Sequence, residues 1–260
     1  MTSVAPRTFL EPTSAMSTSS REPLSSPVPE KAGVWEDFID IFYAPSSVFA
    51  RRANASVWPP LLVVTLLVGG IFLANSRLIE PIMISEFERA AAAQMRDNPQ
   101  LTPEMMERGR GFGMMFARVG AFIGTPIAIC LLGVVLWGAG KLFDAQQSLR
   151  QSLLISAYSF VPMVLAALAV GIQGLLLDVS GYTSRYQVSL SAARFADPDS
   201  TSQLVLNLLG RLDVFTIWVT VLLAVGLSVI GRIPLARAAI AAAIVWVAGS
   251  IPGLYEALGR

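Results

Sequence analysis

The residue types that most often carry out catalysis or bind metals are scarce in this chain of 260 residues. It contains no histidine and a single cysteine, Cys130. Disulfides, Cys/His zinc sites and histidine-based catalytic triads are therefore excluded. The sequence also lacks the Gly-x-Ser-x-Gly, Ser-x-x-Lys and His-Glu-x-x-His patterns and any Gly-rich phosphate loop. We expect no catalytic residue, no cofactor and no metal site, and we interpret Cys130, which has apolar neighbours, as a small core residue.

Acidic side chains are the remaining candidates for a chemical role. Asp213 could bind a cation together with Asp178, Asp197 and Asp199, but their spacing matches no calcium-binding loop. Asp213 also stands just before an apolar stretch, where a carboxylate can accept hydrogen bonds from the first free amides of a helix. We favour this N-cap role over a cation site.

The composition indicates a membrane protein. Hydrophobic residues make up 54% of the chain and charged residues 14%, whereas a soluble globular protein carries about a quarter charged residues. The net charge is +1, and the chain has no block of Lys and Arg resembling a nucleic-acid-binding arm. We therefore exclude nucleic acid as a partner and take the lipid bilayer as the surroundings of the protein.

The hydrophobic stretches predict an all-α, polytopic membrane protein with a bundle of five transmembrane helices. A hydrocarbon layer about 30 Å thick requires roughly 20 residues of α-helix. Five stretches meet this requirement, at about residues 58–79, 119–138, 152–177, 214–230 and 238–255. Together they form the predicted membrane domain, 58–255.

Two segments precede this domain. Residues 1–34 are rich in Ser, Thr and Pro and predict a disordered cytosolic tail. Residues 35–57 predict an amphipathic juxtamembrane segment that lies on the inner membrane surface. Its apolar and acidic residues fall on opposite sides of a helix, and they are Trp35, Phe38, Ile39 and Phe42 against Glu36, Asp37 and Asp40.

The orientation follows from the basic residues of the short connecting segments. Three such segments each carry two basic residues next to the predicted helices: Arg51 and Arg52, Lys141 and Arg150, and Arg232 and Arg237. Because basic residues of short loops stay in the cytoplasm, we expect the N-terminus inside, the C-terminus outside, and a location in the cytoplasmic membrane.

The predicted helices contain no charged residue in their interiors, which argues against an ion-coupled transporter. Pro162 should kink the third helix and free the carbonyl of Tyr158. That kink could be a hinge, or a small polar pocket formed by the Tyr158 hydroxyl and Ser159. We favour a packing kink whose free carbonyl is met by a neighbouring hydroxyl, since prolines are common in membrane helices.

Two steps of small residues, Gly120 to Gly124 and Gly249 to Gly253, would let helix backbones approach closely. Such steps could join two protomers. We favour packing within one bundle, which is the more frequent use.

Three stretches resemble the Yip domain family, membrane proteins named for interacting with Ypt/Rab GTPases, in its bacterial form. The first is Phe-Ile-Asp-Ile-Phe-Tyr-Ala-Pro-Ser-Ser-Val-Phe at 38–49, similar to the family's aromatic-Pro-x-x-x-Phe entry segment. The second, 151–162, ends in Ala-Tyr-Ser-Phe-Val-Pro and is similar to the family's Tyr-Ser-x-x-Pro signature. The third is Leu-Asp-Val-Phe-Thr-Ile-Trp at 212–218, followed by Leu-Leu-Ala-Val-Gly-Leu at 222–227.

The resemblance implies a helical bundle with a cytosolic N-terminus. Eukaryotic relatives work in vesicle traffic and membrane shaping, bound to small GTPases and to one another. The candidate structural and contact residues that these stretches supply are Phe42, Pro45, Phe49, Tyr158, Pro162, Asp213 and Trp218.

These observations favour a non-enzymatic protein that organises membranes, or acts in trafficking-like processes, through contacts with membrane or cytosolic proteins, a second copy of the chain, or lipid. The alternative is a passive channel, a carrier component or an accessory subunit of a transporter. A membrane enzyme using loop carboxylates is the least favoured interpretation.

Overall fold

The computed structural model describes residues 1–2, 33–98, 100–177, 181–251 and 253. The chain divides after Ala32, and the fold described below is that of the unit beginning at Gly33. The predicted disordered tail, residues 1–34, lies almost entirely outside the described residues.

The regular structure of the described residues is helical. The α-helices are α1 (Val34–Tyr43), α2 (Pro45–Arg52), α3 (Trp58–Asp97), α4 (Pro103–Lys141), α5 (Leu149–Ser159), α6 (Pro162–Leu176), α7 (Gln203–Arg211), α8 (Val214–Gly231) and α9 (Leu235–Ala248). Two short 3₁₀ helices, Arg185–Val188 and Ala192–Phe195, lie between α6 and α7.

The helices form an all-α membrane bundle of the predicted kind. Four helical segments are long and apolar enough to cross a bilayer: α3, α4, α5 together with α6, and α8. The fifth, α9, is apolar but shorter, with 14 described residues. The five membrane helices therefore follow one another in the predicted order.

Helices α3 and α4 are each about twice as long as a bilayer requires. They contain 40 and 39 residues, which corresponds to about 60 Å at 1.5 Å per residue. α3 continues through Pro81 and so extends past the predicted span, which ends at about residue 79. The stretch from Met105 to Met115 is continuous with the membrane helix α4.

One end of the bundle carries the short connections, residues 53–57, 142–148 and 232–234, and we call it the short-loop face. Hydrogen bonds join these connections. The Gln146 amide donates to the Gly231 carbonyl at 2.9 Å, and the Gln151 side chain donates to the Ala53 carbonyl at 3.2 Å. The opposite end, formed by the ends of α3 and α4 with residues 181–213, is the long-loop face.

The core lies where α5 and α8 meet α2, α4 and α9. Its fully buried or nearly fully buried side chains include Phe49, Leu136, Ile155, Leu222, Leu227 and Ala241. Gly133 allows α4 and α5 to approach closely, since a Cβ atom at this position would lie 2.9 Å from the Leu153 Cα atom. Small residues therefore set the spacing of the central helices.

The exposed side of α4 differs from the prediction. Cys130 is exposed rather than part of the core, and Cβ atoms added at Gly120 or Gly124 would meet nothing within 4 Å. These residues lie on a side of α4 that turns away from the bundle. In contrast, a Cβ atom at Gly249 would come within 2.9 Å of the Arg211 Nη2 atom, so this second glycine step does pack within the bundle.

Candidate functional site

The first two helices form a hairpin, Val34–Arg52, that packs against the membrane helices. Its turn lies at Ala44 and Pro45. A residue before proline is disfavoured in the α conformation, and Ala44 has φ −137° and ψ 55°. Pro45 then begins α2 at a position where its missing amide costs little. The chain reverses here, so the two ends of the hairpin come together.

An ionic cluster joins the two helices of the hairpin. Arg51 contacts Asp37 through Nε at 2.7 Å and Asp40 through Nη2 at 2.6 Å. Arg52 Nε donates to the other oxygen of Asp37 at 2.6 Å. The two carboxylates and two guanidinium groups balance in charge, which reduces the cost of burying Asp37, while Arg51, Arg52 and Asp40 stay partly exposed.

The carboxylate of Asp37 is the buried centre of this cluster, with a relative exposure of 0%. Its Oδ2 atom also accepts a hydrogen bond from the Tyr158 hydroxyl at 3.0 Å. Burial of a carboxylate is very costly unless it is paired and hydrogen-bonded. Asp37 therefore has the partners that its burial requires, and one of them belongs to a membrane helix, α5.

Aromatic contacts extend the junction between the hairpin and the bundle. The rings of Phe38 and Tyr158 lie 6.0 Å apart, and those of Phe42 and Trp218 lie 5.0 Å apart at an angle of 73°. This edge-to-face arrangement is favourable for aromatic pairs. Phe42 thus connects α1 to α8.

Phe49 anchors α2 at a position where α8 has no side chain. It is fully buried, and a Cβ atom added at Gly226 would lie 3.0 Å from the Phe49 Cζ atom and 2.6 Å from the Ile155 Cγ2 atom. Gly226 is therefore required for the close approach of α2, α5 and α8. The three sequence stretches singled out above meet at this one site.

The junction lies within the length of the membrane helices. Tyr158 is nine residues from the start of α5, about 13 Å at 1.5 Å per residue, and Trp218 is thirteen residues from the end of α8, about 20 Å. Both distances are measured from the short-loop face. The hairpin therefore packs alongside the membrane helices at this end of the bundle, and the Asp37 carboxylate at its centre is buried there, whereas Arg51, Arg52 and Asp40 remain partly exposed.

The predicted kink is present immediately after Tyr158 in the chain. α5 ends at Ser159 and α6 begins at Pro162. The Tyr158 carbonyl accepts a hydrogen bond from the Val161 amide at 3.2 Å, so a tight turn rather than a neighbouring hydroxyl satisfies it. The Ser159 hydroxyl is buried without a partner among the described residues, whereas the Tyr158 hydroxyl contacts Asp37.

The predicted helix cap at Asp213 is also present. Its carboxylate accepts hydrogen bonds from the amides of Phe215 at 2.9 Å and Thr216 at 3.2 Å. The acidic residues considered with it have other partners: Asp197 accepts from Ser200 at 2.7 Å, and Asp199 pairs with Arg89 at 3.3 Å. Asp178 lies outside the described residues.

Sequence reasoning missed the role of Asp37, Arg51 and Arg52. The helical pattern assigns Asp37 to the polar side of α1, which was expected to face water. In the structure this side faces α2 and Tyr158, while Trp35 and Ile39 face outward. The available signal was the pair of arginines placed after Pro45, since a turn at that proline returns them to the acidic side of α1.

Comparison with known proteins agrees with this architecture. The Yip1 domain model matches residues 39–255, which include most of the hairpin and all five membrane helices. Membrane protein YknW of Bacillus subtilis (strain 168) is 26% identical over 196 residues, which cover 74% of this chain and 78% of that protein. No solved structure matches the chain.

Proposed function

The chain belongs to the Yip1 domain family, and from that premise we propose that it is a non-enzymatic membrane protein that organises other membrane proteins by direct contact. The contact surface in this proposal is the outward side of α1. Membership of a membrane protein family is consistent with this role, and the hairpin, which packs against the membrane helices, supplies a surface for it.

The observation that carries the proposal is the row formed by Trp35, Ile39 and Tyr43. These residues are spaced four apart and therefore share one side of α1. Their exposures are 70%, 62% and 84%, whereas Asp37 and Ile41 on the opposite side are fully buried. Tryptophan and tyrosine are the residue types most enriched among the residues that dominate protein interfaces. A protein helix that packs against this row would bury it.

The buried side of the hairpin holds this row in position. Phe42 and Phe49, which the sequence suggested as contact residues, pack against Trp218 and Gly226 within the chain. They therefore act on a partner indirectly, by fixing the position of α1. Pre-organisation of this kind reduces the entropy lost on binding.

Purification from native membranes, followed by mass spectrometry, tests the proposal. A protein that co-purifies with the wild-type chain should be lost from a variant that combines Trp35→Ala and Tyr43→Ala. The matched control combines Phe112→Ala and Phe116→Ala, which remove two exposed aromatic rings from α4. Equal recovery of every co-purifying protein in the two variants would contradict the proposed contact surface.

Reconstitution separates this function from that of a channel or carrier. If the proposed function is right, the purified chain alone moves neither ions nor small solutes across liposome membranes. Flux that depends on the protein would instead support the alternative.

We also propose that the short-loop face lies in the cytoplasm and that the protein resides in the cytoplasmic membrane. The basic residues of the three short connections support this orientation. Lys141 and Arg150 lie at this face, where they donate to the carbonyls of Ala145 and Ala55.

A further inference from the structure

A groove of about 380 Å³ lies between α3 and α6 and reaches the 3₁₀ helix Arg185–Val188. Its walls are mainly apolar and include Val68, Phe72, Met83 and Val170. The volume falls in the range of cavities that hold small ligands, about 300–1,000 Å³. Because α3 and α6 are membrane-spanning helices, the groove is accessible to the hydrocarbon chains of lipids.

The end of the groove at the long-loop face is polar. Glu86 accepts a hydrogen bond from the Arg185 amide at 2.8 Å, and the same carboxylate lies 3.9 Å from the Arg185 Nε atom. The guanidinium group also lies over the Tyr186 ring, 5.4 Å from its centre. Glu86 and Tyr186 thereby hold Arg185 at the mouth of the groove.

Arg185 borders a second cavity, of about 210 Å³, that also contains Arg211. The other described residues that line this cavity carry no charge, and they include Tyr186, Asn207, Gly249 and Ser250. Arg185 is already paired with Glu86, whereas no ion pair joins Arg211 to an acidic side chain of the described residues, so this cavity offers a place for an anion beside Arg211. Arginine is well matched to phosphate, because its planar fork can donate two parallel hydrogen bonds.

Arg211 is the arginine of this cavity that has no acidic partner among the described residues. Its Nη2 atom donates to the Trp246 carbonyl at 2.8 Å, and the guanidinium lies 5.5 Å from the centre of the Trp246 ring. The Nε atom is buried and has no hydrogen-bond partner among the described residues. Burial lowers the pKa of Arg211, because it disfavours the charged form. A bound anion would offset this cost.

We propose that the groove and the cavity together bind one anionic phospholipid. The phosphate lies between Arg185 and Arg211, and one acyl chain lies along the groove between α3 and α6. A ligand that fills both parts must combine a long apolar chain with a negative charge, and a phospholipid of the surrounding bilayer has this chemistry. The site lies on the long-loop face, so it is separate from the contact surface proposed on α1.

Native mass spectrometry of the full chain, purified in neutral detergent, tests the proposal. Phosphatidylglycerol and phosphatidylcholine with identical acyl chains are added separately. The expected result is one phosphatidylglycerol retained per chain and no comparable retention of phosphatidylcholine. Arg211→Ala should weaken retention about tenfold or more, which corresponds to the loss of one charged hydrogen bond.

A second variant tests the apolar half of the site and guards against misfolding of the first. Val170→Phe should displace the acyl chain and weaken retention as well. The matched control is Arg110→Ala, an arginine that lies outside both cavities and pairs with Glu107. The variant Trp35→Ala with Tyr43→Ala should retain the lipid, so that failure of the α1 surface and failure of the lipid site are distinguishable.

Three results would overturn the lipid site. The first is equal retention of the two lipids, which would exclude recognition of charge. The second is equal retention by Arg211→Ala and Arg110→Ala. The third is displacement of phosphatidylglycerol by inorganic phosphate at the same molar concentration, which would show that the acyl chain contributes nothing to binding.

Discussion

Tyr158 donates its hydroxyl to the buried carboxylate of Asp37 at 3.0 Å, across 121 positions of the sequence. This hydrogen bond joins the α1–α2 hairpin to a membrane helix at the level of the kink between α5 and α6. Because Asp37 also holds Arg51 and Arg52, one carboxylate connects both helices of the hairpin to the bundle.

Removal of the Asp37 carboxylate should be strongly destabilising. Asp37→Ala leaves two arginines and one tyrosine hydroxyl without their shared partner, and loss of one member of a buried ion pair costs about 3–5 kcal/mol. Asp40→Ala is the matched control, since Asp40 is partly exposed, and its loss should cost less than about 1 kcal/mol. Thermal unfolding of the two purified variants in detergent measures the difference. Similar melting temperatures would show that Asp37 is not a central contact.

Loss of the Tyr158 hydroxyl alone should have a smaller effect. Tyr158→Phe keeps the ring beside Phe38 and removes one hydrogen bond to a charged group, which should cost about 1–3 kcal/mol. A double-mutant cycle with Asp37→Asn should give a coupling energy of about 1 kcal/mol or more, since the two residues are in direct contact. Strictly additive effects on the free energy of unfolding would contradict the hydrogen bond.

A methyl group at position 226 should displace the hairpin. Gly226→Ala places a Cβ atom 3.0 Å from Phe49 and 2.6 Å from Ile155, and overpacking of this kind costs about 1–3 kcal/mol. Adding Phe49→Leu to Gly226→Ala replaces the ring with a smaller side chain and should restore part of the lost stability. Gly138→Ala, where a Cβ atom meets nothing within 4 Å, should be neutral or stabilising. Equal unfolding temperatures for Gly226→Ala and Gly138→Ala would show that α2 does not pack against α8 in this way.

The two faces of the bundle should be labelled from opposite sides of the membrane. Asn54 and Ser200 are exposed on the short-loop and long-loop faces, and single cysteines can be placed there in a chain that carries Cys130→Ser, since Cys130 is exposed. In intact cells an impermeant maleimide should label Ser200→Cys, whereas Asn54→Cys should react only after permeabilisation. The reverse pattern would invert the proposed orientation, and labelling of both from one side would contradict the fold.

The order of the membrane helices, the Asp213 cap and the kink at Pro162 could be predicted from the sequence, because each depends on residues that are close together along the chain. The burial of Asp37 could not be predicted in this way. It depends on a turn at Pro45 that returns Arg51 and Arg52 to α1, and on Tyr158 from a distant helix. From helical periodicity alone, an acidic residue on the polar side of α1 is predicted to be exposed to water.

The positions of Cys130 and Gly120 illustrate a different limit of sequence reasoning. In a membrane helix the residues that face lipid and those that face the core are both apolar, so their pattern does not distinguish the two sides. The resemblance of three short stretches to one family was more informative, since these stretches meet in space at Phe42, Phe49, Tyr158 and Trp218.

Site-specific photocrosslinking at neighbouring positions of α1 tests the central claim most directly. A photoreactive phenylalanine analogue replaces either Phe42, which faces the bundle, or Tyr43, which faces outward, and native membranes are irradiated. The analogue at position 42 should link to α8 near Trp218 within the chain, and the analogue at position 43 should link to a separate membrane protein. Links from position 42 to another protein, or only lipid adducts at position 43, would contradict a docked hairpin that presents its outer side to a protein partner.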